Sequence, residues 1–221
     1  IKLVPCMRMC GKGPNIRFDG VVYNGADEAL IENLKLNLNG NDLTLAASTH
    51  GGCAITLNGT LNIVGDGDVV VAPQVPAGMP LGIGIGIKDS GKLIIDGGNY
   101  SVAAGAVANI GSVAGELVIN GGTFTGATNV SLFNTKSSPK ITITDGKFSH
   151  VPFEERENDT REIGISGGIF GAEVPETFCA DGYIPAKKDN GTYGVNLKGN
   201  GGWGGLLKQD FTGLEAGKMY V

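Results

Sequence analysis

Four nine-residue segments of this chain align with one another without gaps and at nearly constant spacing. They are KLIIDGGNY (92–100), ELVINGGTF (116–124), KITITDGKF (140–148) and EIGISGGIF (162–170), and the successive offsets are 24, 24 and 22 residues. A unit of this length cannot bury its own apolar face, so its strands must hydrogen-bond to the equivalent strands of neighbouring units. The repeat therefore predicts a stack of similar coils whose parallel sheets run along a rod.

Each unit begins with an alternating strand and ends on an aromatic ring. Leu93 and Ile95 are two positions apart, so they share one face of the strand and point inward, while Ile94 faces outward. A short polar residue and a glycine follow, which is typical of a turn in which the glycine adopts positive φ. The ring then returns to the interior. We predict one ladder of stacked rings, formed by Tyr100, Phe124, Phe148 and Phe170.

A second predicted column is charged and lies outside the core. The residue before each inward pair alternates in sign along the repeat: Lys92, Glu116, Lys140 and Glu162. Stacking places neighbouring members about 4.8 Å apart. Opposite charges adjacent on a sheet are favourable, whereas a slip by one coil would bring like charges together. The column is therefore expected to help set the register; four independently solvated charges are the alternative interpretation.

Weaker copies extend the repeat towards the N-terminus. TLNIVGD (60–66) matches its start, LNLNGN (36–41) matches again 25 residues earlier, IRFDG (16–20) is interpreted as a degenerate copy, and 71–80 is predicted to be an inserted loop. Glycine makes up 38 of 221 residues, which favours many tight turns. The predicted fold is all-β, a right-handed parallel β-helix of about six coils of 22–25 residues. A β-sandwich with a coincidental repeat is the alternative.

The predicted organisation has four parts. Residues 1–15 form an N-terminal arm, 16–170 the β-helix repeats, 171–197 a C-terminal cap, and 198–221 a glycine-rich joint and tail. The ends of a solenoid must differ from its middle, because an open coil exposes its core and its strand edges. We expect the cap to contain a hairpin-like turn around Asp189-Asn190-Gly191, since Asn-Gly supplies positive φ.

Catalytic chemistry has little support in the sequence. Polysaccharide lyases and hydrolases built on β-helices place carboxylates with Lys or Arg on outward positions of adjacent coils. The outward column that lies between the two inward residues of each strand has no ionisable side chain, since it consists of Ile94, Val118, Thr142 and Gly164. Asp66 and Asp68 would suit a cation, but they match no calcium loop, and a solvated turn is favoured. The two histidines, His50 and His150, are far apart in the repeat. We therefore predict no enzyme, and no catalytic residue, metal or cofactor.

Composition bounds the partners. The net charge is −5, and no basic cluster is interleaved with aromatic residues, so a nucleic-acid partner is not expected. No apolar run approaches the roughly 18 residues that a membrane span needs. The expected partners are other structural protein chains, in an oligomer, and a host-surface glycan or receptor.

The closing segments resemble a known class of repeat proteins. ISGGIF (165–170) followed by FCADGYIPAKKDNGTYGV (178–195) is similar to the last coil and end-cap of ISGGTF-type β-helix proteins, which occur on the surfaces of gut-type bacteria and among bacteriophage structural proteins. LKLNLNGNDLTL (34–45) and AITLNGTLNIVGDG (54–67) look like the opening coils of that class. Ile169 departs from the usual Thr. The resemblance implies a β-helix and an end-cap, and it carries no shared catalytic motif.

The resemblance leaves two functions open. One is a bacteriophage fibre or decoration protein on the virion surface, and the alternative is an extracellular adhesin on a bacterial cell surface. The four cysteines, at Cys6, Cys10, Cys53 and Cys179, and the absence of a secretory leader before Ile1 are expected for a protein assembled in a reducing cytoplasm, which favours the virion. A polysaccharide lyase or hydrolase is a distant third.

Overall fold

The described part of the chain is built mainly of short strands. A computed structural model describes the backbone of residues 15–18 and 21–24, and the chain at 33–45, 53–71, 82–103, 105–111, 114–126, 131–135 and 138–198. Numbered along the chain, the strands are β1 (Asn15–Phe18), β2 (Val21–Asn24), β3 (Asn33–Asn37), β4 (Leu43–Leu45), β5 (Cys53–Leu57), β6 (Thr60–Val64), β7 (Asp68–Val71), β8 (Gly82–Ile87), β9 (Lys92–Ile95), β10 (Asn99–Val102), β11 (Gly105–Ile110), β12 (Glu116–Ile119), β13 (Thr123–Gly126), β14 (Phe133–Thr135), β15 (Lys140–Ile143), β16 (Lys147–Phe148), β17 (Glu162–Ile165), β18 (Ile169–Phe170), β19 (Tyr183–Lys187) and β20 (Tyr193–Leu197). A 3₁₀ turn covers Glu176–Phe178.

Three sheets run along the stack. A coil contributes one strand to each sheet in which it takes part. Sheet 1 has the order β17-β15-β12-β9-β6-β3, sheet 2 the order β19-β20-β18-β16-β13-β10-β7-β4, and sheet 3 the order β14-β11-β8-β5. Within the repeat, Glu116 pairs with Lys92 and Lys140, and Lys140 pairs with Glu162, all in parallel register. The predicted parallel β-helix is therefore confirmed.

The N-terminal end differs from the predicted repeat. Strand β1 pairs antiparallel with β2 in a sheet of their own, so residues 16–18 do not belong to a degenerate parallel coil as predicted. The stack has about five turns, slightly fewer than the six predicted. Leu34 pairs with Leu61 and Leu36 with Ile63, so the true offset is 27 residues and not 25. A shift of two residues preserves which side chains face inward, so alternation alone could not distinguish the two registers.

The core is a set of columns of like side chains. Leu93 and Leu117 are fully buried, and so are the Ile residues that follow each of them by two positions. In β9 and in β12 the outward neighbours are more exposed than the inward residues, as the burial patterns of these strands show. Each buried aliphatic side chain contributes about 1.5–3 kcal/mol relative to an exposed one. Stacking therefore supplies the burial that a single coil cannot.

The aromatic rings form one continuous ladder beneath sheet 2. Centroids of successive rings are 4.8 Å apart from Tyr100 through Phe124 and Phe148 to Phe170, and the planes differ by 12°, 6° and 6°. This spacing is the separation of neighbouring strands, so the sheet imposes it on the rings. The glycine two positions before each ring is also constrained. Gly168 has φ +105°, and a Cβ there would lie 3.2 Å from both the ring of Phe170 and the carbonyl oxygen of Gly146.

One member of the ladder is chemically different from the others. Tyr100 is 1% exposed, and its hydroxyl has no hydrogen-bond partner among the described residues. Burial, with a smaller contribution from Asp96, raises the pKa of Tyr100, so the hydroxyl stays neutral. A buried hydroxyl without a partner destabilises the fold.

The C-terminal end of the stack is closed by two elements. Strands β19 and β20 form an antiparallel hairpin, and β20 continues sheet 2 from the last coil by pairing at Phe170 and Tyr193. The hairpin turns at Asp189-Asn190-Gly191: the Gly191 N–H donates to the Lys188 carbonyl at 3.0 Å, and only Gly191 of the three has positive φ. The predicted hairpin-like turn is confirmed. The backbone of Asn190 does not adopt positive φ; its side-chain oxygen instead accepts a hydrogen bond from the Thr192 N–H.

Sheet 1 is capped separately from sheet 2. Ile165 at the end of β17 forms a parallel bridge with Cys179, and its carbonyl accepts a hydrogen bond from Ala180 N at 2.9 Å. The segment that makes this bridge also buries Val174 and Phe178 against the core. Together with Val195 of the hairpin, these side chains cover the apolar end of the last coil.

The unpartnered hydroxyl gives a direct test of the packing. Tyr100→Phe is expected to raise the free energy of unfolding by about 1–2 kcal/mol, because it removes a buried hydroxyl that makes no hydrogen bond. Phe124→Tyr is the matched change, since it adds a hydroxyl in the next coil at a fully buried ring. It should lower stability by a similar amount. Urea denaturation measures both, and a less stable Tyr100→Phe protein would show that the hydroxyl has a partner.

Candidate functional site

The outward charged column of sheet 1 lies in the register that the repeat requires. Lys92 Nζ and Glu116 Oε2 are 3.0 Å apart, with side chains 34% and 28% exposed. Lys140 and Glu162 occupy the next two strands and are exposed. An exposed ion pair of this kind contributes up to about 1 kcal/mol, less in salt. The structure therefore places the four charges in one column and pairs the first two.

A second outward column on sheet 1 is linked by side-chain hydrogen bonds between coils. Asn120 Nδ2 donates to Asp96 Oδ1 at 2.8 Å, and Thr144 Oγ1 donates to Asn120 Oδ1, also at 2.8 Å. In the sequence these positions are turn residues expected to bond to nearby backbone. These side chains bond to one another across adjacent coils, and Thr144 Oγ1 also lies 3.4 Å from the Ile119 carbonyl oxygen, because in-register stacking brings these groups within reach.

The outer face of sheet 2 presents exposed side chains from successive coils. Two outward columns flank the buried ring column, and most of their side chains are short and polar. The exposed members are Thr44, Val70, Ser101, Thr125 and Ser149 in one column, and Asp68, Asn99, Lys147 and Ile169 in the other. Asn99 Nδ2 donates to Asp68 Oδ1 at 3.1 Å. This face presents hydroxyl and amide groups at the strand spacing over several coils.

A buried arginine organises the charged loop within the last full coil. The Arg161 side chain is only 2% exposed. Its Nε donates to Asp159 Oδ1 at 2.7 Å, and Nη2 donates to the Glu154 carbonyl at 2.6 Å. Nη1 reaches the buried Thr135 Oγ1 at 3.2 Å. The guanidinium therefore ties the loop to the end of sheet 3.

Two aromatic rings complete the environment of this cation. The guanidinium carbon of Arg161 lies 5.9 Å from the ring centroid of Phe153 and 5.5 Å from that of Phe178. Contacts of this kind with aromatic faces are favourable for a cation. Arg161 was not among the residues predicted from the sequence. The signals there are the Asp two positions before it and an aromatic residue at the start of a charged run.

The carboxylate that pairs with Arg161 is held in its charged form. The hydrogen bond from the Arg161 side chain lowers the pKa of Asp159, and burial opposes this effect only in part. A backbone hydrogen bond from Arg161 N and the nearby charges of Arg161 and Arg156 lower the pKa further. A cavity of about 270 Å³ lies between this loop and the 3₁₀ turn. Both arginines and Asp159 line it, but their hydrogen bonds are made within the loop and, from Arg161, to Thr135 of β14, which indicates a structural role.

The other candidate residues of the sequence are not brought together. Asp68 accepts from Asn99, and His150 Nδ1 lies 2.9 Å from Ser149 Oγ; His50 lies outside the described residues. Within the described ranges, no three His, Cys, Asp or Glu side chains are grouped so that they could hold a metal ion.

Two of the four cysteines can be located. Cys53 and Cys179 are free and partly buried, while Cys6 and Cys10 lie outside the described residues. Burial raises the pKa of both described thiols, although Lys88 opposes the rise at Cys53. A thiol with a raised pKa is a poor nucleophile.

In the part of the chain that the structure describes, no helix is long and apolar enough to span a membrane.

Comparison with known proteins adds no assignment. No family model, no curated protein and no solved structure matches this chain.

The charged column predicts a salt-dependent loss of stability. Glu116→Lys creates three adjacent cations with Lys92 and Lys140, so the melting temperature should fall at low ionic strength and recover as salt is added. Glu162→Lys is the control, because that position has only one charged neighbour in the column and should lose less. Thermal melts at several salt concentrations measure both. Equal losses from the two variants would show that the column does not act as a set of pairs.

The arginine cluster, which consists of Arg161 with Asp159, Thr135, Phe153 and Phe178, predicts a pH-dependent contribution of Asp159 to the free energy of unfolding. Its folded-state pKa is lowered, so the stabilisation is complete above the unfolded pKa of about 3.9 and is lost as pH falls through the folded value. Asp159→Asn should cost about 2 kcal/mol near neutral pH, less than a fully buried pair because Asp159 keeps contact with water. The difference from the unmodified protein should shrink below about pH 4.

Glu155→Gln serves as the control for that experiment, because it removes one negative charge from the same exposed loop without touching Arg161. Chemical denaturation across pH measures all three proteins. A loss for Asp159→Asn that is the same at low and neutral pH would contradict a role for the carboxylate charge.

Proposed function

We propose that the chain is a non-catalytic β-helical rod for structure or recognition, displayed on the surface of a particle. The observation that supports this most is the outer face of sheet 2, which combines a rigid, in-register backbone with exposed hydroxyl and amide side chains. Such a face presents hydrogen-bonding groups at fixed positions, so a partner binds without the entropy cost of ordering loops.

The most specific form of the proposal is a bacteriophage fibre or decoration protein. The similarity of the closing segment, ISGGIF with its DGY and NGTY elements, to phage structural proteins supports it, and the hairpin that follows closes the last coil. Other structural chains and a host-surface glycan or receptor are the proposed partners, and an oligomer is the proposed state. A bacterial cell-surface adhesin with the same rod is the alternative.

Localisation distinguishes the two forms. Antibodies raised against the purified chain should label intact phage particles in gold-labelling electron microscopy, and should leave uninfected cells unlabelled. Labelling of the outer surface of cells would favour the adhesin instead. Labelling confined to the cell interior would contradict display on any surface.

Recognition by sheet 2 is tested with matched threonine variants. Thr125→Arg places a long charged side chain on the exposed face of sheet 2, and Thr56→Arg does the same at an exposed position of sheet 3. Adsorption of the labelled chain to a panel of intact bacterial cells should fall about tenfold for Thr125→Arg, a loss of about 1.4 kcal/mol. Thr56→Arg should adsorb normally, and equal behaviour of the two variants would place recognition elsewhere.

The proposal also excludes turnover of polysaccharides. Incubation with pectin, alginate and common host glycans should release no products, with or without calcium. Calcium-dependent cleavage that is abolished by Asp66→Ala or Asp68→Ala would overturn the non-catalytic assignment in favour of a lyase or hydrolase.

A further inference from the structure

One turn of the stack combines a reactive sequence with an unprotected geometry. Asn-Gly is the dipeptide in which an asparagine side chain is most readily attacked by the following backbone nitrogen, because glycine has no Cβ to obstruct ring closure. Six Asn-Gly pairs occur in the chain, and four of them have both residues described, at Asn39, Asn58, Asn120 and Asn190. The hydrogen bonds around these four pairs differ.

Three of the four are held by hydrogen bonds. At Asn190, the attacking Gly191 N–H donates to the Lys188 carbonyl at 3.0 Å, and Asn190 Oδ1 accepts from the Thr192 hydroxyl at 2.7 Å. At Asn39, the following Gly40 N–H donates to the Asp66 carbonyl. Each of these nitrogens must lose a hydrogen bond before it can attack.

The side-chain amide of Asn120 is held on both sides by its neighbours in the second outward column of sheet 1. Its Nδ2 donates to Asp96 and its Oδ1 accepts from Thr144, both at 2.8 Å. Rotation of this amide towards the Gly121 nitrogen would break both bonds. The side chain, and not the backbone, therefore protects this pair.

Asn58 has none of these restraints. It is exposed in the turn between β5 and β6, and within the described part of the chain neither its amide nor the Gly59 N–H makes a hydrogen bond. The backbone on either side is fixed, since the Leu57 carbonyl accepts from Lys88 N and the Gly59 carbonyl accepts from Lys92 N, both at 2.9 Å. The turn thus stays in place while its reactive groups are free.

We propose that Asn58-Gly59 is a self-modifying turn that deamidates in the folded protein. The Gly59 nitrogen attacks Cγ of Asn58; the new C–N bond forms, the bond from Cγ to Nδ2 breaks, and ammonia leaves with the proton of the Gly59 amide. Water then opens the five-membered succinimide at one of its two carbonyls. The product at this position is an ordinary aspartate, or an isoaspartate in which the main chain runs through the former side chain, and each adds one negative charge.

The position of the turn gives that charge a partner. Leu57 pairs with Ile87, so residue 58 lies beside Lys88 in the next coil, about one strand spacing away. The new carboxylate therefore forms next to a cation. An isoaspartate in addition lengthens the backbone between two carbonyls that both accept hydrogen bonds from the next coil, and it should weaken that end of the stack.

Peptide mapping of the folded protein tests the proposal. After incubation in mildly alkaline buffer, mass spectrometry should show Asn58 converting about tenfold faster than Asn39, Asn120 or Asn190, since each of these must first break a hydrogen bond. In denaturant the four rates should converge. Equal rates in the folded protein, or the same preference for Asn58 in denaturant, would overturn the proposal.

Two variants separate geometry from sequence. Thr144→Val removes the hydroxyl that holds Asn120 Oδ1, so deamidation at Asn120 should accelerate while Asn58 is unaffected. Asn58→Gln should abolish the first acidic species seen on isoelectric focusing of the aged protein. An unchanged rate at Asn120 in Thr144→Val, or an acidic species that persists in Asn58→Gln, would contradict the assigned protection and the assigned site respectively.

Discussion

The hydrogen bonds between one coil and the next are the constraint on which the rest of the structure depends. Parallel strands in register place every residue on its counterpart at about 4.8 Å, so each position must tolerate a copy of itself. Rings stack on rings in the core, glycine on glycine at the turn, and Ile on Ile beside them. Side chains that would repel an identical neighbour are accommodated in two ways. The sign of the charge alternates along the charged column, and hydrogen-bond donors meet acceptors among Asp96, Asn120 and Thr144.

The parts of the fold that could be predicted are those in which the coils resemble one another. The spacing of the repeat and the alternation of Leu93 and Ile95 predict sheet 1, and the aromatic position predicts the strand beneath which the rings stack. Sheet 3 could not be derived in this way. Its strands read CAITL, GIGIGI, GAVANI and FNT, and these share no column pattern. Nothing in one sequence indicates that GIGIGI and FNT occupy equivalent positions.

The arginine cluster was beyond prediction for a different reason. Arg161 belongs to a run of exposed charged residues, and its neighbours in sequence remain in contact with water. What buries it is the convergence of Phe153, Phe178 and Thr135, which come from three separate parts of the chain. The second outward column on sheet 1 (Asp96, Asn120 and Thr144) could be predicted only in part for a similar reason. Its residues were recognised as turn formers, but their hydrogen-bond partners follow only from the stacking register.

The charged column gives the rod a period that its other columns lack. A shift of the stack by one coil places a ring on a ring, a turn glycine on a glycine and a buried aliphatic residue on another. The same shift places unlike charges on one another in the column of Lys92, Glu116, Lys140 and Glu162, which repeats only every two coils. A gene encoding such a rod can gain or lose length by duplicating or deleting whole coils. One coil at a time would keep the core intact and leave two like charges side by side. Changes in pairs of coils would preserve both, so the charges on the outside of this molecule favour a change in length by two coils at a time, whereas its core does not distinguish one coil from two.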